Sequence, residues 1–162
     1  MMNTSTLRTP SLLDAQALRG AFSRFATGVT IVGFENHDGI HGLTVNAFTS
    51  VSLDPPLLLV SIQKTSRSHE PLMQQPFSVS ILADTHAATA RSFASKDRAG
   101  APDWDRSGRV PRIADAIGWF ECEHWAQHDA GDHTLVVGRI TDFGRTDGEP
   151  LLFFNGALSG LS

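Results

Sequence analysis

Between Gly42 and Pro56 the chain reads GLTVNAFTSVSLDPP, and at a period of two residues it separates into two faces. Leu43, Val45, Ala47, Thr49 and Val51 fall on one side, small or β-branched and mostly apolar. Thr44, Asn46, Phe48, Ser50 and Ser52 fall on the other, where hydroxyls, an amide and a phenyl ring carry no charge. A neutral, hydrogen-bonding face of that kind suits a flat heteroaromatic ligand better than a phosphate. The same pattern fits an edge strand with a solvated Ser/Thr face. Asp54-Pro55-Pro56 should stop the strand, because a proline has no N–H for a ladder.

A second group with chemical potential is Lys64-Thr65-Ser66-Arg67-Ser68, just before a short helical piece expected around Glu70 to Gln75. Cations and hydroxyls beside the unpaired N–H groups of a helix start suit an anion. The competing reading is a solvated basic loop with Ser68 as a helix cap. Of seven histidines, His124, His128 and His133 lie near Asp129 and Asp132. His124 and His128 would stand about 13 Å apart along a strand, at about 3.3 Å per residue, too far to share a metal ion. No metal site is expected. His133 follows a Gly131-Asp132 turn at a hairpin mouth, and on its own reads first as an exposed turn histidine. No two glycines are separated by a single residue, so the dinucleotide fingerprint is absent, as are a P-loop and a G-x-S-x-G elbow. Cys122, the single cysteine, lies in a strand pattern as a small core residue and excludes an internal disulfide.

These groups need a scaffold, and the rest of the chain supplies one. Residues 1–10 are polar and expected to fray; residues 11–162 read as one domain. Ser11 with Asp14 three residues on is a helix start, with an apolar stripe of Leu13, Ala17, Leu18, Ala21, Phe22 and Phe25 and a stop at Gly28. Strands are expected over Val29–Phe34, Leu57–Ile62 (buried on both faces), Phe77–Leu82, Ile117–Gln127, Thr134–Phe143 and Leu151–Phe154. Asp84 should cap a helix running to about Ser95, followed by the long loop 96–112. About six or seven strands joined by short connections and two or three helices favour an antiparallel barrel with flanking helices.

The 162 residues are 41% hydrophobic and 19% charged, a globular balance, and the formal charge of −4 with no basic run argues against nucleic acid. MMNTSTLRTP has no apolar signal core and no segment approaches a membrane span, so a cytoplasmic protein is expected.

GVTIV at 28–32, GLTVNAFTSVSLDPPLLLVSI at 42–62, WFECE at 119–123 and GDHTLVVGRI at 131–140 resemble the short-chain flavin reductase family. These proteins are reductase components of two-component flavin-dependent monooxygenases. The resemblance runs in order from Ala17 to Leu158. It implies an antiparallel split β-barrel of the FMN-binding, Greek-key type, mainly β with flanking helices, that forms a homodimer. It also implies NAD(P)H-dependent reduction of free FMN or FAD, by hydride transfer to flavin N5, for a partner monooxygenase. On this resemblance Thr44, Val45, Asn46 and Ala47 lie against the flavin ring, with Ser50 near its reactive part. Ser61, Lys64, Ser66, Arg67 and Ser68 handle ribityl and phosphate, and Arg98 adds a phosphate contact. His133 belongs to a Gly-Asp-His motif associated with nicotinamide binding. The alternative is a flavin carrier or sensor of the same fold without turnover. Two departures bear on nucleotide preference: Phe153-Phe154-Asn155 stands where the family often has tyrosines, and Phe93 to Asp97 is less glycine-rich than usual.

Overall fold

A computed structural model describes residues 13–95 and 102–162. The elements are α1 (Ala15–Phe22), β1 (Thr27–Gly28), β2 (Thr30–Asn36), β3 (Gly39–Val45), β4 (Phe48–Leu53), β5 (Pro56–Gln63), α2 (His69–Leu72), β6 (Phe77–Ile81), α3 (Ala87–Ala94), β7 (Trp104–Asp105), β8 (Arg112–Ile113), β9 (Gly118–Ala130), β10 (His133–Arg145), β11 (Leu152–Phe154) and β12 (Ala157–Ser159). The fold is mainly β with few helices.

Seven strands form one antiparallel sheet in the order β3-β2-β6-β9-β10-β5-β4. Its two edge strands, β3 and β4, are consecutive in the chain, with only Asn46 and Ala47 between them. A sheet whose edges are tied by two residues must curl until they meet, which makes a split barrel with its seam at Asn46-Ala47. Alternate side chains fill the interior: Val32 and Phe34 from β2, Leu43 and Val45 from β3, Leu58, Val60 and Ile62 from β5, Phe77 and Val79 from β6. Cys122 and Val136 complete this core. On the outer face of β2, a second cluster of Val29, Ile31, Leu82, Ala90, Ile113 and Leu151 seats α3 and the short β7–β8 hairpin.

Several expectations change. The stretch 42–56 is two strands on opposite sheet edges, so its period-two faces do not continue through the seam. Leu43 and Val45 are buried, but Ala47, Thr49 and Val51 are exposed. Phe48, expected on the polar face, stacks on Phe120 at 6.0 Å beside the core. β5 is buried on one face only, since Leu57, Leu59 and Ser61 point outward between its core residues. β4 does end at Leu53, before Asp54-Pro55, and Pro56 opens β5 opposite Leu53.

Asp14 caps α1, accepting from the N–H groups of Gln16 and Ala17 at 3.1 and 3.3 Å. The helix stops at Phe22, with Gly28 in β1, and none of its residues is buried. Ser11 and residues 1–10 lie outside the described residues. α2 spans only four residues. A 3-10 turn, Asp84–His86, precedes α3, with the Ala83 N–H donating to His86 Nδ1 at 3.1 Å. The long loop contains β7 and β8.

Candidate functional site

The seam residues Thr44, Val45, Asn46 and Ala47 border a hollow of about 290 Å³, together with Ser61, Ser66 and His133. Their placement follows from the fold. β3 ends here, β5 runs beside the seam with the Ser61 N–H donating to the Ala47 carbonyl at 3.1 Å, and Leu135 of β10 pairs with Ser61. Thr44 Oγ1 donates to the Ala90 carbonyl at 2.7 Å, which ties β3 to α3. Thr30 Oγ1 donates to the Val45 carbonyl at 2.6 Å, so each of the last two residues of β3 is tied by a side-chain hydrogen bond. The Val45 side chain lies in the core, and that residue offers the hollow its backbone.

A second hollow of about 700 Å³ adjoins the first through Leu43, Gln63, Ser66, Phe93 and Ala94. It is lined by Thr65, Ser66, Arg67 and Ser68. The neutral seat and the cationic, hydroxyl-bearing loop are therefore two ends of one groove. The Ser68 N–H donates to Ser66 Oγ at 3.3 Å and its hydroxyl makes no cap bond to α2. With only four residues in that helix, the loop's own N–H groups, hydroxyls and Arg67 are what an anion would meet.

Lys64 is oriented elsewhere. Its ammonium bonds the Asp129 carboxylate and donates to the Gly131 carbonyl at 2.6 Å, while its N–H donates to the Asp132 carbonyl at 2.9 Å. It braces the β9–β10 turn and lines neither hollow. That turn carries His133, whose Nδ1 lies 2.7 Å from the Asp132 carboxylate. The hydrogen bond from His133 holds the Asp132 carboxyl below the usual carboxylate range, so it is ionised at neutral pH and accepts a hydrogen bond from Nδ1–H. Nε2 is then the free nitrogen. His69 Nε2 and Thr134 Oγ1, 2.8 Å apart, join α2 to the residue after His133.

Ser50 stands apart from these groups, exposed on β4 opposite Leu58 and lining neither hollow. Arg98 lies outside the described residues. His124 Nε2 donates to the Leu72 carbonyl at 2.7 Å, and its ring packs 5.4 Å from Phe77. Burial pushes the Cys122 thiol up to about 12, which leaves it protonated and inert.

Phe93, Gln63 and Ala94 line both hollows; Gln63 carried no signal in the sequence, and Phe93 and Ala94 stood out only as part of a segment less glycine-rich than is usual in the family. Phe93 sits in an alanine-rich helix, and which face of that helix meets the groove depends on how α3 docks. A third hollow, about 490 Å³ and bounded by Arg91, Phe153 and Leu158, lies across Thr44 and Asn46 from the first.

Residues 22–162 match the family described as the flavin reductase like domain. The chain belongs to that family. Among flavin reductase like proteins it is 42% identical over 153 residues to an NADH-dependent flavin reductase of a Rhodococcus species, covering 89% of this chain and 85% of that one. A probable flavin reductase of Rhizobium meliloti is 44% identical over 141 residues; the match covers 83% of this chain but only 45% of that longer protein. The solved structure of the styrene monooxygenase flavin reductase of Pseudomonas putida S12 superposes with a TM-score of 0.83 at 36% identity, over 89% of this chain and 96% of that one.

Proposed function

We propose that this flavin reductase like chain oxidises NADH and reduces free FMN or FAD, which then serves a separate monooxygenase. The observation that carries the reading is the single groove in which an uncharged seat, an anion-binding loop and the imidazole of His133 meet. Bound there, nicotinamide and flavin supply a hydride donor and its acceptor, flavin N5. No acid–base pair is required of the protein, and the donor set fits that demand.

Backbone groups of Thr44 to Ala47 would bind the polar edge of the ring, as preorganised donors that need no rearrangement when negative charge develops, and Ser61 would meet the ribityl chain. Ser66, Arg67 and Ser68 would hold the phosphate. His133 would orient the reductant through the nitrogen that Asp132 leaves free. Ser50 and Lys64, which line neither hollow, are outside the proposed contact set.

The test is steady-state oxidation of NADH and NADPH with FMN and with FAD. Turnover with added flavin is expected, and His133→Ala should raise the KM for NADH while sparing the KM for flavin. An equal rise in both would remove His133 from its role. Flavin binding without NADH oxidation would make the chain a carrier module.

We also propose that a second copy of the chain covers part of the surface. Phe22 and Phe25 in and after α1 are exposed, as are Val51 and Leu53 on the edge strand β4, and Leu53 is 96% accessible. Light scattering should give twice the chain mass. Among the described residues no helix is long and apolar enough to cross a membrane. Cytoplasm is the proposed compartment, where the reduced flavin would pass by diffusion to its oxygenase.

A further inference from the structure

We propose that Trp104 is a positioning residue for the flavin seat, acting through Phe93; the inference rests on the flavin reading of the groove. Phe93 lines both hollows of that groove. From behind, the Trp104 ring meets it edge-on, with centroids 5.8 Å apart and planes at 66°. The sheet beneath is bare where these rings lie, because Gly33 of β2 and Gly42 of β3 sit opposite one another in the ladder. A Cβ on Gly42 would come within 2.9 Å of Phe93 and 3.1 Å of Trp104, and one on Gly33 within 2.9 Å of Trp104. The two rings therefore come close over glycine backbone that could not take a Cβ.

Trp104 is itself fastened to the barrel. It pairs with Ile113 in the β7–β8 hairpin, and the Ile113 N–H donates to Ser80 Oγ at 3.0 Å. Ser78 Oγ donates to the Pro111 carbonyl at 2.6 Å. The Arg112 guanidinium bonds Glu121 at 2.9 Å and Asp105 at 3.0 Å, and covers the Trp119 ring at 3.7 Å. The segment 102–113 is thus a strap anchored to two strands, β6 and β9, and Trp104 is the point where it presses on the wall of the flavin seat.

Flavin dissociation constants, measured by fluorescence quenching, and KM values for flavin and NADH test this. Trp104→Ala should weaken flavin about three- to tenfold, the equivalent of one lost aromatic pair. The KM for NADH at saturating flavin should stay within about twofold, and Trp104→Phe should restore flavin affinity. In a Phe93→Ala background, Trp104→Ala should have no further effect on flavin. Should Trp104→Ala fail to fold, Trp104→Leu carries the same test. Unchanged flavin affinity, equal rises in both KM values, no rescue by Trp104→Phe, or additivity with Phe93→Ala would each overturn the inference. Absence of flavin binding to the wild-type chain would instead overturn the underlying functional reading, so the two failures are distinct.

Discussion

Glu121→Gln isolates the charge in the buried cluster that anchors the strap. The Glu121 side chain is 4% accessible and the Arg112 side chain 10%. The carboxylate accepts from Arg112 Nη1 at 2.9 Å and from the Arg109 N–H at 3.1 and 3.2 Å. A glutamine keeps the shape and an acceptor for Arg109, but leaves the guanidinium with Asp105 as its remaining anion. Removing one partner of a buried pair costs about 3–5 kcal/mol, and the retained Asp105 and Ser107 contacts put this case near about 3 kcal/mol. At about 2–4 °C per kcal/mol for a chain of this size, Tm should fall by about 6–12 °C. Thermal unfolding by circular dichroism at neutral pH, with urea titration as a second measure, reads this directly. The double variant Arg112→Met/Glu121→Leu should recover part of the loss, because no unpaired charge stays buried. A Tm for Glu121→Gln within about 2 °C of wild type would refute the reasoning, since a desolvated guanidinium cannot lose one of its two anions at no cost.

Other outcomes follow from the same structure. Cys122, with its thiol pushed up to about 12 by burial, should resist disulfide reagents in the native protein and react only on unfolding, which a labelling time course in urea would follow. Gly138→Ala would bring a Cβ within 2.7 Å of Phe77 and 2.9 Å of the Cys122 Cβ in the barrel core, an overpacking cost of about 1–3 kcal/mol, readable by urea unfolding. The Ser107 N–H, its hydroxyl and Arg112 hold the Asp105 carboxyl below its usual range. A depressed carboxylate stabilises the fold above its unfolded value and loses that contribution as pH falls through the lowered one, so Tm should drop below about pH 4. Asp105→Asn should flatten that drop. Lys64→Met should loosen the β9–β10 turn and raise the KM for NADH more than that for flavin; equal effects would place Lys64 on the phosphate instead.

How much of this was legible in the sequence varies by residue. Thr44–Ala47, Ser61, Ser66–Ser68 and His133 stand out in local composition and in the motifs that carry the family resemblance, and the structure places them around two adjoining hollows. The face assignment across 42–52 went astray at one place. Period-two reading assumes an unbroken strand, and the chain changes sheet edge at Asn46-Ala47, which turned Phe48 towards the core and left Ser50 outside the groove. Lys64 was read by its charge alone, while its partner Asp129 lies 65 residues away.

The sequence by itself determined what is local. Strand and turn composition, the neutral hydroxyl-bearing seat, the cationic loop and the Gly131-Asp132-His133 turn all depend on neighbours within a few positions. Only the tertiary structure decided what depends on closure. Because the first and last strands of the sheet are adjacent in the chain, the barrel must fold back on its own seam. That closure sets β3 beside β5, carries the hairpin of His133 to the same edge, and lays Phe93 and Trp104 over paired glycines. Long-range pairing of this kind is a property of the whole ladder, and no short window of residues contains it.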